Sequence, residues 1–312
     1  MSFAFVFPGQ GSQSVGMLAD FGTEEPVAGA FREASLALGY DLWALVQGGP
    51  AEKLNSTEYT QPAMLVAGVA LWRLWKARGG ADPGEVTGHS LGEFTALVCA
   101  QTLSLGEAAD LVRFRGRAMQ EAVPAGTGAM AAILGLADDE VVASCDQAGQ
   151  GEVVEAVNFN GPGQVVIAGD RAAVERAIEA CKAAGAKRAV PLALSVPSHC
   201  SLMGPAAERL EMRLQDVKLQ KPVIRYVSAV DAAPHTDPDD IRELLVRQLA
   251  NPVRWQDTVA ALAANGHAQI IECGPGKVLT GLNRRIAKRP ELALLALEDA
   301  ASLEAALAAT RA

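Results

Sequence analysis

The segment Gly88-His-Ser-Leu-Gly92 constrains the fold of this chain more than any other. It follows Glu85-Val86-Thr87, which is predicted as a short strand, and helical sequence resumes from Glu93. A serine in such a strand–turn–helix needs small flanking residues, because the turn is strained and lifts the hydroxyl above the sheet. The helix that follows supplies free N–H groups that can hold a developing oxyanion. The pattern predicts a nucleophilic Ser90, with an ordinary helix-capping serine as the alternative.

Strands and helices alternate along most of the chain. The apolar run Phe3–Phe7 predicts a buried strand, and the glycine-rich turn 8–13 closes it. Apolar residues at helical spacing predict a helix over 61–78, and a predicted strand at 269–273 precedes a helix from Lys277. Alternation of this kind predicts a mostly parallel α/β sheet.

The middle of the chain has a different order of elements. The patterns predict strands at 127–135, 152–158, 163–168 and 186–195, and helices at 138–148 and 170–184. This strand–helix–strand–strand–helix–strand order is that of a ferredoxin-like fold. We therefore predict a large unit of residues 1–126 and 196–312, with a parallel sheet like that of the α/β-hydrolases, and an inserted ferredoxin-like unit of residues 127–195. The active site is expected in the cleft between them.

Composition excludes several classes of protein. The chain has 312 residues, 50% of them hydrophobic and 20% charged, so a sizeable core can be buried. Its net charge of −9 and its lack of a basic block argue against a nucleic-acid partner. No apolar stretch reaches the roughly 18 residues that a membrane span needs, and the apolar start stops at Pro8, unlike a signal peptide. We expect a soluble cytoplasmic protein.

The five cysteines are scattered and form no C-x-x-C pair. This spacing favours reduced thiols over a metal site or a disulfide framework. The sequence also lacks the phosphate-loop and dinucleotide fingerprints, so it gives no support to nucleotide hydrolysis or hydride transfer.

A nucleophilic serine needs a base, because its free hydroxyl barely ionises at neutral pH. His199 ends a predicted strand at the edge of the cleft, whereas the side chain of His89 is expected to point away from the hydroxyl. His235 lies in a polar stretch and His267 in a turn. Its place at the cleft edge and the elimination of the other three histidines favour His199 as the base. The alternative is that His199 is a structural histidine. Cys200 is a rival nucleophile, but it projects in a different direction from its neighbour His199.

Five motifs resemble those of the malonyl-CoA:acyl-carrier-protein transacylase family and occur in that family's order. They are Phe7-Pro-Gly-Gln-Gly-Ser-Gln13, Gly88-His-Ser-Leu-Gly-Glu93, Arg115-Gly116, Ser195-Val-Pro-Ser-His199 and Glu272-Cys-Gly-Pro-Gly276. They span nearly the whole chain. The chain also resembles the acyltransferase domains of polyketide synthases.

The resemblance implies a role for each matching residue. Ser90 would carry the acyl group and His199 would be its base, oriented by the backbone carbonyl of Gln248 rather than by an acid. The backbone N–H groups of Gln10 and Leu91 would form the oxyanion hole. Coenzyme A would be a substrate, and no retained cofactor or metal is expected.

The predicted helix 105–121 carries Arg113, Arg115 and Arg117. Residues two positions apart do not share a helix face, so at most one of these arginines should point inward. The resemblance implies that this one is Arg115, which would bind the malonyl carboxylate as a planar two-pronged donor. Ser198, in Val-Pro-Ser-His, stands where related domains differ in their choice of acyl group.

The resemblance implies an acyl carrier protein as the partner, and such carriers are acidic. An acidic chain then needs a local basic patch for docking. There are two candidate patches. One is Lys187-Arg188, on the last predicted strand of the small unit. The other is Arg284-Arg285 with Lys288-Arg289, on and after the helix that follows Gly274-Pro-Gly276. Each patch has a solvated surface as its alternative. A monomer is expected from the resemblance alone.

Three other functions remain open at this stage. A polyketide-pathway acyltransferase shares the same motifs. A serine hydrolase of the α/β type would place an acid between the serine and a late histidine, and here His199 comes early without an obvious acid before it. A non-catalytic carrier-docking module would not need both Ser90 and His199.

Overall fold

The computed structural model describes residues 2–192 and 196–311, which form two β-sheets covered by helices. In chain order the strands are β1 (Phe3–Phe7), β2 (Glu85–Gly88), β3 (Gly128–Leu134), β4 (Val154–Gly161), β5 (Gln164–Asp170), β6 (Arg188–Pro191), β7 (Arg225–Val227), β8 (Pro234–His235), β9 (Gln269–Glu272) and β10 (Ala293–Ala296).

The helices lie between these strands. They are α1 (Glu25–Leu38), α2 (Leu42–Gly48), α3 (Ala51–Leu54), α4 (Thr57–Ala77), α5 (Gly92–Cys99), α6 (Leu105–Ala122), α7 (Asp138–Gly149), α8 (Arg171–Ala183), α9 (Gly204–Gln215), α10 (Pro238–Arg247), α11 (Trp255–Ala264), α12 (Val278–Ile286) and α13 (Ala300–Arg311). None of the helices in the described ranges is long and apolar enough to cross a membrane.

The larger sheet has the order β10-β9-β1-β2-β7-β8, and its first five strands are parallel. Strand β1 is buried along its whole length because helices cover both faces of the sheet. The ring of Phe5 packs edge-on against Phe7, Trp72 and Trp75, which fixes α4 over β1. The loops that follow β1, β2 and β9 therefore meet at one edge, where parallel sheets place their sites.

The smaller sheet is antiparallel, with the order β4-β5-β3-β6. Helices α7 and α8 pack on it around a core of their own. The order of its elements is that of a ferredoxin-like fold, as the sequence predicted. Strand β6 covers only Arg188–Pro191 of the predicted 186–195, and residues 193–195 lie outside the described residues.

The mixed α/β class, with a parallel sheet and a separate antiparallel one, is confirmed. The unit boundaries and the likeness to hydrolases stay predictions. One helix bound was wrong: α4 begins at Thr57, four residues before the predicted start. Its first turn is polar in sequence, and it is buried because Thr57 and Thr60 pack inside the protein. Apolar periodicity could not detect that turn.

Candidate active site

The turn after β2 holds Ser90 in a strained backbone conformation, with a positive φ of 52°. Its glycines are required by close packing. A Cβ at Gly88 would lie 1.9 Å from the main chain of Gly92, and a Cβ at Gly92 would lie 2.0 Å from the carbonyl oxygen of Phe7. The two glycines let helix α5 begin directly against β1, and this leaves the serine hydroxyl at the edge of the sheet.

The hydroxyl of Ser90 lies 2.8 Å from Nε2 of His199. The other ring nitrogen, Nδ1, lies 2.7 Å from the main-chain oxygen of Gln248. A carbonyl oxygen only accepts hydrogen bonds, so Nδ1 carries the proton and Nε2 is the lone-pair nitrogen that faces the serine. The chain hydroxyl–imidazole–carbonyl is therefore arranged for proton transfer from Ser90 to His199.

The imidazole is neutral in this setting. Burial, and then the nearby positive charge of Arg115, lower the pKa of His199 to about 3. Both effects oppose a second positive charge in the cleft. A neutral imidazole is the form that a general base requires.

Arg115 is buried, with 1% of its surface exposed. Its guanidinium donates to Oε1 of Gln61 at 2.9 Å and to Oε1 of Gln248 at 2.8 Å, and Nη2 lies 3.3 Å from the Ser90 hydroxyl. Its Nε has no hydrogen-bond partner among the residues that the structure describes. Burial lowers the pKa of Arg115 to about 10, so the side chain stays charged at neutral pH.

The two neighbouring arginines on α6 lie elsewhere. Arg113 and Arg117 both reach Glu58, at 3.8 and 2.7 Å, and remain partly exposed. No ion pair between described residues includes Arg115. A fixed cation without a carboxylate beside it is costly to bury, so this position favours an anionic ligand.

Two backbone N–H groups border the serine, those of Gln10 and Leu91. Neither donates a hydrogen bond to another described residue. The loop after β1 lies close to the serine turn, because a Cβ at Gly9 would lie only 2.5 Å from the His89 carbonyl oxygen. This contact brings the two N–H groups to the same edge of the sheet, where they can receive an oxyanion.

These residues lie in a cleft of about 190 Å³. The small sheet and the segment after it supply an apolar wall, and the first turns of α12 supply another: Met130, Val166, Leu192 and Val196 on one side, and Val278, Leu279 and Leu282 on the other. Helix α12 is anchored by Glu272, whose carboxylate accepts the N–H groups of Leu279 and Thr280 at 3.1 and 2.7 Å. Burial raises the pKa of Glu272 to about 7.

Histidines other than His199 have partners away from the serine hydroxyl. His89 Nε2 lies 2.8 Å from Oδ1 of Asn160, a cleft residue that the sequence did not single out. His267, which follows the turn at Asn265-Gly266 as the sequence predicted, is buried and its Nε2 lies 2.9 Å from Oε2 of Glu85.

Cys200 is enclosed rather than poised for reaction. Its thiol is fully buried and contacts the carbonyl oxygen of Pro197 at 3.1 Å. Burial raises the pKa of this thiol to about 12, so it carries almost no thiolate at neutral pH. No group of described histidine, cysteine and acidic side chains could hold a metal ion.

The four basic residues proposed for docking occupy two places. Arg284 and Arg285 lie in the last turn of α12, whose first turns line the cleft, and Arg285 reaches Oε1 of Gln164 at 2.8 Å. Lys187 and Arg188 lie at the start of β6 and do not line the cleft.

Sequence reasoning missed two residues of the hydrogen-bond network around Arg115. Gln61 contacts it directly, and Glu93 accepts a hydrogen bond from the Gln248 amide at 2.8 Å. A signal existed for Glu93, since a carboxylate inside the apolar helix after the serine turn is unusual. No local pattern marks Gln61.

Comparison with known proteins gives consistent results. The acyl transferase domain family matches residues 4–301. The malonyl CoA-acyl carrier protein transacylase of Salmonella typhimurium is 56% identical over 306 residues, 98% of each chain. The crystal structure of an acyl carrier protein S-malonyltransferase from Vibrio cholerae is 55% identical with a TM-score of 0.95, covering 98% of this chain and 100% of that one.

A second solved structure is a malonyl-transacylase in complex with a type II polyketide synthase acyl-carrier protein. It is 54% identical with a TM-score of 0.97, and the match covers 99% of this chain and 100% of that one. These matches make the present chain an acyltransferase. Within that class, it belongs to the malonyl CoA-acyl carrier protein transacylase family, which confirms the resemblance carried by the motifs.

Proposed function

We propose that this chain transfers a malonyl group from coenzyme A to the phosphopantetheine thiol of an acyl carrier protein. The reaction is ping-pong, passes through a malonyl ester on Ser90 and supplies extender units for fatty acid synthesis. The names of the relatives support the substrates. One observation carries the proposal: the charged guanidinium of Arg115 lies buried beside the Ser90 hydroxyl without a carboxylate partner among the described residues.

In the first half-reaction, Nε2 of His199 takes the hydroxyl proton of Ser90 while Oγ attacks the thioester carbonyl carbon of malonyl-CoA. The N–H groups of Gln10 and Leu91 stabilise the oxyanion of the tetrahedral intermediate. The carbon–sulfur bond then breaks, and His199 returns the proton to the departing coenzyme A thiolate. Malonyl-Ser90 remains.

The second half-reaction runs the same steps with a new acceptor. His199 takes the proton of the carrier thiol, and the sulfur attacks the ester carbonyl carbon. The ester bond to Ser90 breaks, and its oxygen recovers the proton from His199. The main-chain oxygen of Gln248 holds the imidazole in one orientation throughout, because it accepts a hydrogen bond from Nδ1–H in both halves.

Arg115 gives the reaction its selectivity. The malonyl carboxylate can pair with the guanidinium in a two-pronged, charge-assisted contact, and acetyl lacks that group. The same contact holds the malonyl chain in place between the two half-reactions. An acetyl group entering this cleft would leave the buried cation unpaired, which is unfavourable.

Mass spectrometry of the intact protein tests the proposal. Mixing with malonyl-CoA should add one malonyl group, and a carrier protein with its phosphopantetheine arm should remove it. Release of coenzyme A with no adduct and no acceptor would indicate a hydrolase. If the protein forms no adduct and releases no coenzyme A, it would be a docking module.

A polyketide carrier protein is a second candidate acceptor. The 54% identical malonyl-transacylase was solved with such a carrier, which favours this alternative. Comparing kcat/KM for carriers of the two pathways, with the same malonyl-Ser90 donor, separates them. The monomeric state and the cytoplasmic location expected from the sequence stay predictions.

A further inference from the structure

Glu93 is a buried carboxylate that the proposed reaction does not use. It lies on α5, three residues after Ser90, and only 1% of its surface is exposed. Its Oε2 accepts the hydroxyl of Tyr226, and its Oε1 accepts Nε2 of Gln248 at 2.8 Å. It does not line the cleft. A buried carboxylate with no cation in contact is unusual and calls for a physical reason.

The side-chain amide of Gln248 connects this carboxylate to the active site. Its Nε2 donates to Glu93 and also to the main-chain oxygen of Ser90 at 3.0 Å. Its Oε1 accepts Nη2 of Arg115 at 2.8 Å. This amide has one favoured orientation, because a flip would turn its NH₂ group toward the guanidinium and its oxygen toward the Ser90 main-chain oxygen and the Glu93 carboxyl group.

The hydrogen bonds from Arg115 through the Gln248 amide to Glu93 explain how a buried arginine stays charged while its N–H donors remain accessible to a ligand. Burial lowers the pKa of Arg115 to about 10, and an ionised Glu93 raises it. Burial also raises the pKa of Glu93 itself, and the hydrogen bonds from Tyr226 and Gln248 act in the opposite direction. A direct ion pair with Glu93 would satisfy the guanidinium internally and occupy the donors that a substrate carboxylate needs. Placing one amide between the two charges keeps the electrostatic benefit and leaves the donors accessible.

We infer that Glu93 is a positioning residue of this enzyme: through the Gln248 amide, it holds the Arg115 guanidinium in the orientation that receives the substrate carboxylate. The inference rests on the proposed function, since the carboxylate is that of the malonyl group. Glu93 touches neither substrate nor the reacting atoms. Replacing Glu93 should therefore change the preference for malonyl-CoA over acetyl-CoA.

A double-mutant cycle tests the inference. The four proteins are wild type, Glu93→Gln, Arg115→Ala and the double variant, each assayed for acyl-Ser90 formation from malonyl-CoA and from acetyl-CoA. Glu93→Gln should lower the malonyl-to-acetyl ratio of kcat/KM by about tenfold, the size of effect common within one network. In the Arg115→Ala background the same change should leave the ratio within about twofold, because the residue on which Glu93 acts is gone.

A neutral serine reagent separates positioning from a general loss of structure. Phenylmethylsulfonyl fluoride carries no carboxylate, so its rate of reaction with Ser90 reports the serine and its base without the arginine. This rate should change by less than about threefold in Glu93→Gln. An equal fall for malonyl-CoA, acetyl-CoA and the reagent would overturn the inference, since Glu93 would then only maintain the fold.

Two further outcomes also count against it. Additive effects in the cycle would show that Glu93 does not act through Arg115. A rise in malonyl preference would show that Glu93 acts only as a charge that repels the substrate. If Glu93→Gln does not fold, Tyr226→Phe replaces it in the cycle, with a smaller fall in the ratio expected. A wild type that forms no malonyl adduct would refute the proposed function instead.

Discussion

The imidazole of His199 is oriented by a main-chain carbonyl, with Nδ1 lying 2.7 Å from the oxygen of Gln248. A carbonyl fixes the tautomer but carries no full negative charge, so it stabilises an imidazolium less than a carboxylate does. Burial and the Arg115 charge act in the opposite direction, and the pKa of His199 falls to about 3. The imidazole of His199, the proposed base, is thus held neutral by its surroundings.

That low pKa predicts an unusual pH profile. A histidine with its ordinary pKa would become protonated as the pH falls from about 7.5 to about 5.5, and would lose its function as a base. We expect acyl-Ser90 formation from acetyl-CoA to stay level over this range, as measured by rapid quenching. Arg115→Ala removes a charge that lowers the His199 pKa, so its acidic decline should move to higher pH. Arg117→Ala, on the exposed side of α6, should follow wild type. A wild-type decline centred near 6.5 would contradict the prediction.

Replacing Ser90, the proposed nucleophile, should abolish the adduct. We expect Ser90→Ala to show no malonyl adduct by intact mass while its circular dichroism matches wild type. His199→Ala should slow acylation by about 10²–10⁴-fold, the usual contribution of a general base. Cys200→Ala is the matched control and should acylate normally, because that thiol is buried with a pKa of about 12. An adduct that persists in Ser90→Ala would place the nucleophile elsewhere.

Removing the buried cation should change which substrate is used. Loss of one partner of a desolvated charge pair costs about 2–5 kcal/mol, so kcat/KM of Arg115→Ala for malonyl-CoA should fall one to three orders of magnitude. Acetyl-CoA should react no worse than with wild type. Arg117→Ala controls for loss of charge on the same helix, because it pairs with Glu58 at the surface. Equal losses with both substrates would make Arg115 a structural residue.

Carrier docking should depend on the two proposed basic pairs, one at the end of α12 and one at the start of β6. We expect charge reversal at four positions to raise KM for the carrier protein and to flatten its salt dependence, since rim charges mainly steer association. The malonyl adduct should still form. The four positions are Lys187, Arg188, Arg284 and Arg285. Reversal at the exposed Arg32 and Lys182, on α1 and α8, is the control. Unchanged carrier kinetics across a salt series would place the docking surface elsewhere.

Local sequence patterns were sufficient for the order of elements and for the serine turn. The alternation of strands and helices gave the α/β class, and the Gly-x-Ser-x-Gly spacing predicted the turn at Ser90. Local patterns could not predict contacts between distant segments of the chain. The Glu93–Gln248 bond joins residues 155 positions apart, and Gln61 lies 54 positions from Arg115. Such pairs depend on how helices pack over the sheet, which no local periodicity encodes.

The two residues between which we propose the proton transfer share an unfavourable backbone conformation. Ser90 has a φ of 52° and His199 a φ of 68°, in the left-handed region that costs most side chains about 1–3 kcal/mol. Glycine adopts this region without that strain. The variant Ser90→Gly should therefore unfold at a higher temperature than wild type, despite its more flexible unfolded chain. The backbone conformation that brings the Ser90 hydroxyl to the His199 imidazole thus lowers the thermal stability of the protein.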